Sequence, residues 1–249
     1  MISMTMEFRK PDEGKTHVPA GLIVPLYFGP NGAWTKLVEE SCKHPEIPIV
    51  AVINPANGPG MDIDLGYAMG VRLLQSSGIV VLGYVHTKYG ARNATVVKNE
   101  VDLYADWYDV DGILFDEMAN ARGQESYYSG LTMYVKARGM SMTVGNPGTD
   151  TLVSYADTVD NLILYDNPDL PPESLFGGWH LKFDTKKFSF VSYDVNAVHH
   201  RSLKTLMAKV GYFFVTDGSL DNPWGKLPSY FDELVILVNS ARAVAKQKI

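Results

Sequence analysis

Gly112-Ile113-Leu114-Phe115-Asp116-Glu117 is the stretch that decides the fold. Its apolar run shows no polar alternation, the pattern of a strand covered on both faces. It ends on two adjacent carboxylates, Asp116 and Glu117. Carboxylates beside a buried run cost free energy unless they are paired or put to use. In chains that alternate strands with helices, strand ends are where chemistry is usually placed.

Seven further runs of the same kind flank it: Gly21–Phe28, Ile49–Pro55, Ile79–Thr87, Ser141–Gly148, Asn161–Asn167, Phe188–Val195 and Gly211–Gly218. Helical patterns alternate with them at Trp34–Lys43, Asp64–Ser77, Ala94–Tyr108, Glu125–Arg138, His199–Val210 and Tyr230–Lys246. Leu152–Ala156 and Glu173–Phe176 are long enough only for short turns. Ser229, after Pro228, reads as the N-cap of the last helix. Such alternation predicts a single (β/α)₈ TIM barrel over residues 21–249 rather than an open doubly wound sheet. Residues 1–20 are polar and charged and read as a poorly ordered N-terminal extension.

The chain has 249 residues, 46% of them apolar, enough for one large core. Its net charge of −6 argues against a nucleic-acid partner, which would need a basic stripe. No apolar stretch is long enough to span a membrane, and no signal-peptide core precedes the first strand. The expected location is therefore cytoplasmic as the chain stands, or extracellular if a leader was removed. Cys42 is the single cysteine and reads as a packed helix residue rather than a nucleophile. No glycine-rich phosphate loop opens a helix, and no cofactor is expected.

The strand ends are polar and aromatic. In order they offer Tyr27; Asn54; Tyr84, His86 and Tyr89; Asp116 and Glu117; Asn146; Tyr165 and Asp166; Tyr193 and Asp194; and Asp217. Taken singly, Asp194 and Asp217 read as caps or turns, and Asn54 and Asn146, each before a proline, as turn formers. Taken together they describe a negative, aromatic-lined mouth. A phosphorylated substrate would want cations there, whereas carboxylates beside aromatic faces suit sugar rings, amino sugars above all. Glycoside cleavage needs two carboxyl groups, one as proton donor and one as nucleophile or base. Side chains at successive strand positions point to opposite faces, so Asp116 and Glu117 can share the mouth only if the strand ends or bulges there.

The residues in this pattern resemble spherulation-specific family 4, a glycoside hydrolase family of (β/α)₈ barrels. The resemblance rests on Val24-Pro25-Leu26-Tyr27, the segment from Ile53 to Gly60, the segment from Leu82 to Gly90, and Gly112 to Glu117. It continues through Gly145-Asn146-Pro147-Gly148-Thr149, Thr216-Asp217, Asn222-Pro223-Trp224 and Leu227-Pro228-Ser229-Tyr230. It implies an endo-acting hydrolase of α-1,4-linked galactosamine or N-acetylgalactosamine polysaccharide. Asp116 and Glu117 would then be catalytic, with Asp166 at the position of a family Glu, one methylene shorter. The sugar contacts would be Tyr27, Asn54, Tyr84, His86, Tyr89, Asn146, Tyr193, Asp217 and Trp224. The shortened acid keeps a non-catalytic carbohydrate-binding barrel as the alternative. A metal-dependent barrel hydrolase is a weaker one, because His86 lacks a ligating histidine partner in the sequence. No metal is expected.

Overall fold

The computed structural model describes residues 20–246. Eight parallel strands close into a barrel in sequence order. They are β1 (Gly21–Leu26), β2 (Ile49–Ile53), β3 (Val80–His86), β4 (Gly112–Asp116), β5 (Met142–Gly145), β6 (Asn161–Pro168), β7 (Phe188–Tyr193) and β8 (Tyr212–Val215). The helices are α1 (Gly32–Lys43), α2 (Leu65–Ser76), α3 (Ala94–Tyr108), α4 (Glu125–Ala137), α5 (His200–Met207) and α6 (Phe231–Lys246). The crossovers after β5 and β6 use short 3₁₀ turns instead: Val153–Tyr155, then Glu173–Gly177, Trp179–Lys182 and Thr185–Lys187. The expected (β/α)₈ barrel is thus the fold, with every predicted strand in place. The expected extension at residues 1–20 lies outside the described residues except for Ala20.

Local chemistry sets the element boundaries. Asn31, Asp64 and Asn93 cap α1, α2 and α3, each side chain accepting a backbone N–H from the first turn. The last helix departs from expectation. It begins at Phe231, and the backbone N–H of Ser229 is instead turned toward the Asp217 carboxylate, at 3.3 Å from each oxygen. Cys42 also departs: it lies on α1 but is exposed.

The strands are buried on both faces, as their unbroken apolar runs require. One face packs inside the barrel and the other under the helices. Two glycines mark where layers approach closely. A Cβ on Gly83 would sit 2.5 Å from the Tyr104 ring of α3. A Cβ on Gly112 would sit 2.0 Å from the Met142 carbonyl oxygen of β5. Gly112 pairs directly with Met142, so a side chain there would push apart the strand pair that carries the carboxylates. Gly112→Ala should therefore destabilise the fold by about 2 kcal/mol or more, an overpacking cost with no flexible neighbour to absorb it. Urea denaturation of the two proteins checks this, and equal midpoints would refute it.

Candidate active site

β4 ends at Asp116, and Glu117 adopts a left-handed backbone with φ 49°. That conformation is uncommon for a residue with a side chain and costs roughly 1–3 kcal/mol. It breaks the strand's alternation and places two consecutive carboxylates at one strand end. A hydrogen-bond net holds the turn. The Thr87 backbone N–H donates to the Asp116 carbonyl at 2.9 Å. The Thr87 hydroxyl lies 3.0 Å from that carbonyl and 2.9 Å from the Glu117 carbonyl. It also meets the Tyr128 hydroxyl at 2.9 Å, which accepts the Ala119 N–H. The Tyr89 N–H donates to the Glu117 carbonyl at 2.6 Å.

Asn146 is the centre of the site. Its Nδ2 donates to Asp116 Oδ1 at 2.9 Å and to Asp166 Oδ2 at 2.8 Å. Its Oδ1 accepts the Gly148 N–H at 2.9 Å, which fixes which way the amide faces. Both amide hydrogens are therefore spent on the two acids. The two bridged oxygens can lie no farther apart than the sum of those bonds. That is below the roughly 6.5–9.5 Å of an inverting glycosidase pair and near the roughly 5–5.5 Å of a retaining one.

Asp166 reaches this position through an irregularity in β6. Ile163 pairs with Ser189 and Asp166 with Val191, so β6 holds one extra residue there. The Asn161 side-chain oxygen accepts from the Ser189 hydroxyl; Thr143 faces Thr132 of α4, so its neighbour Val144 and the register partner Asn161 face the barrel interior, as does Ile163. Simple alternation would have turned Asp166 outward. The bulge turns it back toward Asn146.

Burial raises the carboxyl pKa of both acids. Asp166 is lifted to about 6, with the charge of Asp116 adding and the Asn146 hydrogen bond opposing. Asp116 is also raised by burial, opposed by hydrogen bonds from Tyr84 and Asn146. Glu117 is partly exposed and carries no side-chain hydrogen bond or ion pair among the described residues. The phenols of Tyr27 and Tyr84 are pushed up by burial first and then by the Asp116 charge. These rings pack edge to face at 5.4 Å. Tyr193 packs edge-on against Trp224 at 6.1 Å. The Trp224 loop is tied to the end of β1, where the Tyr27 carbonyl accepts Asn222 Nδ2 at 3.2 Å.

The other expected sugar contacts take no part in the Asn146 bridge. The Asn54 side-chain carbonyl accepts the Gly58 N–H at 2.9 Å and shapes its own turn. Both Asp217 oxygens face the Ser229 N–H. Tyr89 is 63% exposed at the rim. His86 pairs in register with Asp116, its Nδ1 buried without a hydrogen-bond partner. Sequence reading missed Tyr128, which sits on α4 and has no signal near the acids it helps position. Among the described residues no three His, Cys, Asp or Glu side chains form a group that could hold a metal ion. Nor is any described helix long and apolar enough to cross a membrane.

Fold and site together define a (β/α)₈ barrel with an acidic, aromatic-lined carboxylate centre at its C-terminal mouth. The sequence profile of spherulation-specific family 4 matches residues 21–238, and the chain belongs to that family. Spherulin-4 of Physarum polycephalum is 29% identical over 215 residues, 81% of this chain and 64% of that relative's length. The chain thus spans less than two thirds of that protein. Among solved structures, Sph3 of Aspergillus clavatus in complex with GalNAc superposes with a TM-score of 0.81 at 25% identity. The match covers 90% of this chain and 99% of that one. A Rhizomucor miehei chitinase shares the fold, with a TM-score of 0.52 at 12% identity, over 90% of this chain and 99% of its own.

The raised Asp166 pKa has a stability consequence. Well below the ordinary value of 3.8, folded and unfolded chains both carry the neutral acid and no penalty exists. The penalty grows as pH rises from there to about 6, because only the folded chain resists ionisation. Asp166→Asn keeps an oxygen for Asn146 and removes the charge. It should stabilise the protein by about 1–3 kcal/mol at pH 8 and by nothing measurable at pH 3.5. Denaturant midpoints at the two pH values check this; a gain at pH 3.5 equal to that at pH 8 would refute it.

Proposed function

We propose that this chain is a glycoside hydrolase that cuts within a polysaccharide of α-1,4-linked galactosamine or N-acetylgalactosamine. The observation that carries the reading is the Asn146 bridge, which holds Asp116 and Asp166 close together beside Glu117. A protonated and an ionised carboxyl at short range are what glycosidic cleavage requires. The GalNAc complex of Sph3, a protein of similar fold and 25% identity, supports a galactosamine-type sugar as ligand.

In this reading Asp166, raised to about 6, gives its proton to the leaving oxygen. Asp116 and Glu117 carry the nucleophile and base work. The short Asp116–Asp166 gap suits retention of configuration. Tyr27, Tyr84, Tyr193 and Trp224 present apolar ring faces and edges to the sugar while the acids meet its hydroxyls. Tyr89 would take a sugar at the rim, His86 would meet it beside Asp116, and Asn54 and Asp217 would line the cleft. A mouth with this excess of acids favours an amino sugar whose nitrogen is free and cationic.

The test is incubation of wild type and Glu117→Gln with acetylated and deacetylated α-1,4-galactosamine polymers, with released fragments read by mass spectrometry. Wild type should release oligosaccharides. Glu117→Gln should lose turnover by about 10³-fold or more while still binding polymer and unfolding at the wild-type temperature. Unchanged turnover in Glu117→Gln would sink the assignment. Binding by the wild type without fragments would make the chain a carbohydrate-binding barrel instead.

A pH profile gives a second check. The alkaline limb should fall as pH rises through about 6, where Asp166 loses its proton. The acid limb should fall as Asp116, itself raised, takes one up. The optimum is therefore acidic, and a rate still climbing at pH 8 would remove Asp166 as the donor.

A further inference from the structure

Far from the carboxylates in sequence, α2 carries an apolar stripe that nothing among the described residues covers. Leu65, Met69 and Leu73 recur every fourth residue on its outer face, and all three are exposed. Met61 and Ile63, in the loop that leads into the helix, extend the exposed surface; Met61 is 95% exposed. The helix still buries its own inner face through Tyr67, Ala68, Val71 and Leu74. The outer stripe is therefore surplus to the barrel.

The loop is held in place. The Asp64 N–H donates to the Tyr108 hydroxyl at 3.2 Å, and that hydroxyl donates to the Pro59 carbonyl at 3.0 Å. Asp64 Oδ1 accepts the Tyr67 N–H and caps the helix. The apolar side chains thus stand on fixed backbone, so docking there would cost little ordering entropy.

We propose that this face joins two copies of the chain about a two-fold axis through Met69. Antiparallel packing of α2 on its counterpart would set Leu65 of each copy against Leu73 of the other and Met69 against Met69. The charges on the face fit the same arrangement. Arg72 lies toward the C-terminal end and Asp62 just before the N-terminal end, both exposed. The antiparallel pairing brings each Arg72 toward the other copy's Asp62. The five apolar side chains offer on the order of 500 Å² per copy, in the upper part of the range for a monomer's largest apolar patch, which is often functional. With its polar rim that approaches the roughly 800 Å² per partner of a standard interface. The chemistry fits other occupants less well. No aromatic ring lies on the stripe for a sugar to stack on. A lipid surface would want a basic face, whereas Asp62 and Asp64 flank this one.

Sedimentation velocity of the full chain, from about 1 to 500 µM, tests the proposal, because an interface of this size suggests micromolar self-association. Wild type should shift from monomer to dimer over that range. Met69→Glu should weaken association by about 30-fold or more, with circular dichroism and melting temperature unchanged. Arg72→Asp should weaken it too, and the charge swap Asp62→Arg with Arg72→Asp should restore it. Met69→Cys in a Cys42→Ser background should form an intermolecular disulfide on oxidation, since the axis places the two positions together. A wild type that stays monomeric at the highest concentration overturns the proposal. So does a dimer that Met69→Glu leaves intact, or a swap that restores nothing.

Discussion

Two carboxylates at a barrel mouth repel each other, and burial adds a desolvation cost to each. Asn146 is what lets Asp116 and Asp166 share the site. One amide nitrogen supplies a donor to each acid, at 2.9 and 2.8 Å, while its oxygen is tied to the Gly148 N–H. An amide suits this position because it donates two hydrogens and never ionises near neutral pH. A carboxylate there would add a third charge, and a hydroxyl would have only one hydrogen to give. The bridge also fixes the acids' spacing, so electrostatics and geometry come from the same contact. The site's stability and its chemistry therefore pull against each other. Burial lifts Asp166 to about 6 and makes a neutral acid accessible at moderate pH, at some expense to the folded state.

Placing those acids required the backbone to leave its regular path twice. Glu117 turns into the left-handed region as β4 ends, and β6 takes in an extra residue before Asp166. Both irregularities are held by neighbours. Thr87 and Tyr128 brace the first through the Asp116 and Glu117 carbonyls and the Ala119 N–H. The second is braced where the Asp166 N–H and Asn167 Nδ2 both donate to the Gly148 carbonyl. Gly148 also supplies the N–H that orients Asn146, so one residue links the β5 turn, the β6 bulge and the amide. Strain of this kind persists only where the surroundings over-determine it, and here it coincides with the carboxylate centre.

The strands were legible because parallel strands buried on both faces leave continuous apolar runs, and each run here ends at a polar or aromatic residue. Asp116, Glu117 and Asp166 were legible as strand-end acids for the same reason. The β6 bulge was not, because an extra residue changes which face a side chain takes without changing composition. Tyr128 was not, because its partners Thr87 and Ala119 lie on other elements and a tyrosine in a helix reads as packing. Asn54 and Asp217 read singly as turn formers, and the family resemblance cast them as sugar contacts as well. The structure shows their oxygens already facing the backbone N–H groups of Gly58 and Ser229, which is their turn-forming chemistry. Position along a strand locates the mouth; hydrogen-bond partners decide which mouth residues are free.

The same distinction separates the two surfaces of the molecule. At the mouth, polar groups are drawn inward and tied to one another, and what faces outward is ring faces and carboxyl oxygens that the Asn146 bridge leaves over. On α2, the backbone is capped and pinned, and the stripe it presents outward is side-chain hydrocarbon. The first surface discriminates through charge and proton position. The second can only discriminate through shape and the placement of Arg72 and Asp62. In a (β/α)₈ barrel these demands fall on different parts of the chain, the strand ends and the helix exteriors. An acidic centre and an apolar docking face can therefore coexist without either compromising the packing that supports the other.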